Sequence, residues 1–180
     1  MKVYLDANIL SRITDYPTPH LGNEDKHAIG QLAEMEDIDF VTSRKALEEF
    51  QRSNDPDRQE ILKLVYRLMS KIPSTELFEA SLYGEALYGQ ANYGPTPDTL
   101  YVQLKAIFAD DDVQHIFQAI KGKCDYFLTL DAKTILNRAR ANAAQLDALA
   151  PGMRFGTPSQ LLAAIDPSNG APTATSPDVN

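Results

Sequence analysis

Short apolar runs of strand length alternate along this chain with longer stretches of helical spacing. Lys2–Leu5 (KVYL) is β-prone and runs straight into Asp6, and Ile9–Ile13 reads as a short helix that Pro17 and Pro19 break. Asn23 and Asp25 offer a fresh helix start. Residues 38–42 (IDFVT) predict a second buried strand, after which Ser43 caps a helix with apolar positions Ala46, Leu47 and Phe50. Asp55-Pro56 opens another helix, in which Ile61, Leu64, Val65, Leu68 and Met69 recur at helical spacing until Pro73 stops it.

The middle of the chain is less regular. A weak strand fits residues 75–78, and residues 80–94, with Tyr83, Tyr88, Tyr93 and three glycines, read as helical and then looped. Residues 99–108 predict a helix. Asp110, Asp111 and Asp112 open the next, where capping accounts for at least one of the three and the buried stripe is Val113, Ile116, Phe117 and Ile120; Gly122 ends it. Residues 125–130 (DYFLTL) carry the strongest strand signal, with Asp131 just past its carboxyl end, and a basic helix follows over 133–141. Residues 153–156 form a last short strand and Pro158 starts a closing helix. After Asp166 the chain turns to Pro, Ser, Thr, Gly and Asn, a composition that predicts a disordered tail over 166–180 beyond a single domain of 1–165.

Strands separated by helices predict an α/β fold with a parallel sheet covered on both faces, whose binding crevice lies beyond the carboxyl ends of the strands. At 180 residues the chain is long enough to bury a core without disulfides, and its single cysteine, Cys124, excludes an intrachain bridge and gives no support to a thiolate zinc site. No apolar run approaches a membrane span, and the N-terminus has neither the apolar length nor the charge pattern of a secretory signal, so a cytoplasmic protein is expected. The net charge of -8 argues against a grip on nucleic acid by phosphate contacts alone, unless cations or a partner supply positive charge.

The carboxyl-edge rule turns scattered acids into a candidate site. Asp6 follows the first strand and Asp131 the late one, Glu48 and Glu49 lie on the helix after the second, and the Asp110–Asp112 cluster heads the helix leading into the late strand. Carboxylates packed together repel one another unless a cation holds them ionised, and oxygen ligands without a His or Cys cluster point to Mg²⁺ or Mn²⁺. Taken singly, Asp6 is equally a helix cap and Glu48 or Glu49 a solvated surface acid. On the helical wheel Glu49 flanks the apolar face that Glu48 avoids, and Asp112 lies beside the buried stripe, one turn before His115. As a lone histidine, His115 reads as a packing or hydrogen-bonding neighbour rather than a ligand. Asp125, a strand's length from Asp131, falls outside the pocket.

In this order the residues resemble the PIN-domain family, through YLDANIL at the start, VTSRKALEEF before the midpoint, DDVQHIFQAIKGKCDYFLTLDAKTI and the closing RFGTPSQLLAAI, over about residues 2–165. The resemblance implies a three-layer α/β/α fold and hydrolysis of RNA phosphodiesters with Mg²⁺ or Mn²⁺. It carries the metal-binding acids onto Asp6, Glu49, Asp112 and Asp131, and supporting polar roles onto Asn8 and Thr129. It also implies a homodimer and, in small bacterial members, a toxin neutralised by an antitoxin protein; the Tyr/Gly region and the tail set this chain apart from compact toxins. Arg12, Arg44, Lys45, Arg52, Lys133 and Arg138 lie near the expected edge and could contact phosphates, and the tyrosines at 83, 88 and 93 could stack on unpaired bases or pack in the core. A noncatalytic module binding RNA or a protein is the main rival. A phosphatase with Asp6 as nucleophile would want a second acid where Asn8 stands, and no phosphate-binding glycine loop or Ser/His/Asp set is present.

Overall fold

The computed structural model describes residues 1–13, 22–52, 55–71, 78–79 and 96–165. Along the chain run β1 (Lys2–Leu5), α1 (Ala7–Ile13), α2 (Asn23–Ala33), β2 (Asp39–Thr42), α3 (Arg44–Phe50), α4 (Pro56–Leu68), β3 (Ser70–Lys71), β4 (Phe78–Glu79) and β5 (Thr96–Pro97). They continue with α5 (Thr99–Lys105), α6 (Asp110–Lys121), β6 (Tyr126–Leu128), a π-helical turn (Ala132–Leu136), α7 (Asn137–Ala141), α8 (Ala143–Leu149), β7 (Arg154–Gly156) and α9 (Pro158–Ile165). The calls on Pro17, Pro19, Pro73, residues 75–77 and 80–94, Tyr83, Tyr88, Tyr93 and the 166–180 tail lie outside the described residues.

Five strands form one sheet in the order β3-β2-β1-β6-β7, every pairing parallel, and β4 pairs antiparallel with β5 apart from it. From β1 the chain builds outward to β2 and β3 on one side and later to β6 and β7 on the other. The crevice between the carboxyl ends of β1 and β6 is therefore the point where the winding reverses, which is where open parallel sheets accept ligands.

Alternation along the strands splits the core in two. Tyr4, Val41 and Phe127 face one side and meet Leu104, Val113, Ile116, Phe117 and Leu146. Val3, Leu5, Tyr126 and Leu128 face the other, against Ile9, Leu10, Ala28, Leu32, Phe50, Leu62 and Leu161. Helices thus cover both faces, which explains why the strands read as continuous apolar runs rather than alternating ones. Among the described residues no helix is long and apolar enough to cross a membrane.

Several local expectations need correction. Strand β6 stops at Leu128, although the Thr129 N–H still bonds to the Gly156 carbonyl of β7 at 3.0 Å; Asp125 precedes the strand and accepts the backbone N–H of Lys2 at 2.7 Å. The predicted basic helix opens as a π-helical turn, and α8 was not anticipated. Ser43 stands at the cap position of α3 but makes no side-chain capping bond, and Ala109, not one of the three aspartates, occupies the cap position of α6. The helical spacing in α4 marks its buried face only in part: Val65 and Met69 pack against the core. Leu62 is buried, whereas Ile61, Leu64 and Leu68 are 45%, 56% and 79% exposed.

Candidate active site

Asp6 is the first residue past β1, and its backbone N–H still bonds to the Leu128 carbonyl at 3.1 Å, so its carboxyl group is delivered to the reversal point itself. The side chain is 5% exposed. The Thr129 hydroxyl donates to Asp6 Oδ2 at 2.7 Å and accepts from Asn8 Nδ2 at 2.9 Å and from the Asp131 backbone N–H at 3.0 Å. A hydroxyl has one proton and two lone pairs. With both acceptor sites taken, Thr129 can serve Asp6 only as a donor, so that oxygen of Asp6 must be an acceptor. Asn8 completes the ring through its carbonyl oxygen, which accepts the Leu130 N–H at 3.2 Å. Thr129 is therefore a buried polar hub and not a β-branched filler.

A second chain of bonds serves Glu49. Its Oε1 lies 2.7 Å from His115 Nε2, His115 Nδ1 lies 2.8 Å from the Tyr4 hydroxyl, and that hydroxyl lies 2.7 Å from Ser43 Oγ. Tyr4, Ser43 and His115 are buried, while Glu49 is partly exposed at the inner end of the chain. Ser43 has thus exchanged the expected capping role for this one. His115 acts by hydrogen bonding, and its bond selects Glu49 over the exposed Glu48, which pairs with Arg44 at 3.7 Å.

Thr134 serves the remaining two acids. Its backbone N–H donates to Asp131 Oδ1 at 2.6 Å, and its side chain favours the charged form of Asp112. Asp6, Glu49, Asp112 and Asp131 therefore come from four segments far apart in sequence to one edge of the sheet, with Asp125 at the opposite end of β6. Their charges act on one another. Burial pushes the Asp6 carboxyl above its ordinary value and Glu49 adds to this, against the pull of His115 and Thr129. Asp112 is also raised, chiefly by burial, with the Thr134 bond and His115 opposing and the charges of Asp131 and Glu49 adding to it. For His115 burial works against the charged form, but the bond to Glu49 and the charge of Asp6 outweigh it and raise the imidazole.

The donor set, carboxylate oxygens with threonine and asparagine in support, fits a hard divalent cation. As they stand, no three acidic, histidine or cysteine side chains among the described residues converge closely enough to hold one. Asp6, Glu49 and Asp131 are each engaged by a protein donor: Thr129, His115 and the Thr134 N–H. A carboxylate has about four lone-pair sites, so one bond to the protein leaves capacity for a cation.

The expected phosphate-contacting residues separate into groups. Lys45 is buried, correcting its reading as an open contact, and its ammonium lies 3.6 Å from Asp111, which Arg52 also approaches at 3.8 Å. Arg138 donates to the Ile107 carbonyl at 3.1 Å and ties α7 to the turn after α5. Arg12 and Lys133 are exposed on α1 and the π-helical turn. Tyr4, Ser43 and Thr134 escaped the sequence reading. Only Thr134 left a usable trace, since a threonine three residues after Asp131 matches a helix-start pattern.

No family model, no curated protein and no solved structure matches the chain.

Proposed function

We propose that the chain is a PIN-type, metal-dependent ribonuclease in which Asp6, Glu49, Asp112 and Asp131 hold Mg²⁺ or Mn²⁺. The observation that carries the reading is that these acids lie toward one edge of the sheet, near enough for Glu49 to act on Asp6 and for Asp131 and Glu49 to act on Asp112, whose carboxyl group, like that of Asp6, is raised chiefly by burial. The motif pieces of the family resemblance support it, since they fall on β1–α1, on α3, on α6 through the π-helical turn, and on β7–α9. A bound divalent cation would relieve that repulsion, make water more acidic and neutralise charge on the phosphate oxygens.

The chain's own residues have separable tasks. Thr129 and Asn8 fix Asp6; His115, backed by Tyr4 and Ser43, fixes Glu49; the Thr134 N–H fixes Asp131. Asp112, partly exposed and raised chiefly by burial, is assigned the role of taking a proton from the attacking water. The water oxygen bonds to phosphorus as the bond to the leaving ribose oxygen breaks in line.

The open spacing of the acids is also what a noncatalytic module binding RNA or a protein would display. Incubation with single-stranded and structured RNA under Mg²⁺, Mn²⁺ or EDTA, alongside Asp6→Asn and Asp112→Asn, separates the two. The nuclease reading expects cleavage that EDTA and both substitutions abolish; metal-independent binding without turnover establishes the module. The antitoxin partner and the homodimer are carried by the resemblance, and an adjacent antitoxin-like reading frame and a sedimentation measurement decide them.

A further inference from the structure

Beside the acids, a cleft of about 340 Å³ opens between α1, α3 and the start of α4. It shares Glu49 and Asn8 with the candidate site, and beyond them its walls carry Ser11, Arg52 and Arg58 over a floor that includes Leu62. We infer that this cleft is a subsite for the phosphate of the nucleotide next to the cleaved bond, held by Arg58 and Arg52. The inference rests on the nuclease reading above and adds where the substrate strand runs.

Three observations support it. An acidic protein that takes RNA must gather cations locally, and this cleft places two arginines next to an acid of the site. Three other arginines are directed elsewhere: Arg44 to Glu48, Arg138 to the Ile107 carbonyl, and Arg154 to the start of β7, at the end of the sheet away from the acids. Second, Arg58 is held in place by donating to both the carbonyl and the hydroxyl of Ser11. A guanidinium presents a planar fork of N–H groups that matches a phosphate, and one already fixed in position gives up less freedom on binding. Third, the partner that Arg52 has now is exchangeable. It lies 3.8 Å from Asp111 with both side chains more than half exposed, so the pair is weak and a phosphate can displace it. The volume suits one nucleotide unit.

The test is binding of a fluorescent single-stranded RNA hexamer to the full chain made inactive by Asp112→Asn, over a series of salt concentrations. Alongside it, kcat and KM are measured on the active protein. Arg58→Ala and Arg52→Gln should each weaken binding and raise KM several-fold while leaving kcat at saturation unchanged. Each should also reduce the slope of log K against log salt by about 0.7, the value for one phosphate contact on a single strand. Arg154→Gln, at the far end of the sheet, should alter neither quantity. If Arg58→Ala unfolds, Arg52→Gln carries the test, because its side chain is 60% exposed. An unchanged salt slope in Arg52→Gln, or hexamer binding no tighter than that of a dinucleotide, overturns the subsite. Binding that follows these expectations without any cleavage keeps the subsite and removes the nuclease reading.

Discussion

His115 and Glu49 are joined by a 2.7 Å bond from the imidazole Nε2 to Oε1, and the other ring nitrogen is held at 2.8 Å by the buried hydroxyl of Tyr4. Whether the ring is neutral or charged, Nε2 is the atom that donates to Glu49; the Tyr4 proton turns toward Nδ1 in the first case and toward Ser43 in the second. Loss of outer partners of this kind typically costs 10- to 100-fold in metal affinity or activity. His115→Ala is therefore expected to weaken Mn²⁺ binding by about that factor, and His115→Gln, which keeps an N–H donor, to recover part of it. Calorimetric titration with Mn²⁺ checks this, and equal affinities for the two variants would show that the bond does not position Glu49.

The pH dependence of stability follows from the signs of the shifts. In the unfolded chain Asp6 and Asp112 lose their protons near pH 4, but in the folded protein burial delays the loss. The folded state thus binds more protons over that interval, and stability falls as pH rises through it. His115 acts in the same direction: its contribution is complete below about pH 6.5 and is lost as pH climbs through its raised folded value. Asp98 behaves oppositely, since burial is outweighed by its bonds to Lys121 and the Leu100 N–H, but a lowered carboxyl titrates below this window. Metal-free protein should melt at a progressively lower temperature from about pH 4.5 to pH 8. Asp6→Asn should flatten that slope and Mn²⁺ should reverse it. Thermal melts in EDTA that stay level or climb across the range contradict the account.

Thr129 offers a test of the polar hub. Replacement by valine keeps the shape but leaves Asp6 Oδ2, Asn8 Nδ2 and the Asp131 N–H without their common partner. Leaving such groups unsatisfied costs about 1–3 kcal/mol, and Asp6, deprived of a donor, should titrate higher still. Thr129→Val is expected to lose stability in urea denaturation by about that amount and to bind Mn²⁺ more weakly at pH 6 than at pH 8 by a wider margin than the wild type. Thr129→Ser should restore both, because the hydroxyl and not the methyl performs the role.

These relationships show what was legible in the chain. Asp6 could be placed because a residue just past a strand has its position fixed by the ladder, and Glu49 because it flanks the apolar side of its helix; Asp131 stands three residues beyond the shortened β6, as the cap of the π-helical turn. Thr134, Tyr4 and Ser43 could not. Their roles depend on partners 22, 111 and 39 residues away, at Asp112, His115 and Tyr4, and no local pattern encodes a distant hydrogen bond. The π-helical turn was hidden for a related reason: Asp131 satisfies the Thr134 N–H, and its carbonyl accepts the Leu136 N–H at 3.0 Å, which widens the first turn beyond what helical propensity signals.

Helix α4 marks where periodicity misleads, and it supplies a last prediction. Ile61, Leu64 and Leu68 lie three and four residues apart, the spacing of a buried stripe, yet they face outward while Leu62 enters the core beside α1. A fully buried leucine cut to alanine loses its transfer energy and leaves a cavity, about 2–5 kcal/mol in all, whereas an exposed one loses little. Leu62→Ala should therefore destabilise the protein by several kcal/mol, and Leu68→Ala should stay within about 0.5 kcal/mol of the wild type in equilibrium unfolding. The reverse order would mean that α4 is rotated about its axis. Arg58, four residues before Leu62 and on the same side of the helix, would then no longer reach Ser11, and the cleft beside Glu49 would lose one of its two cations.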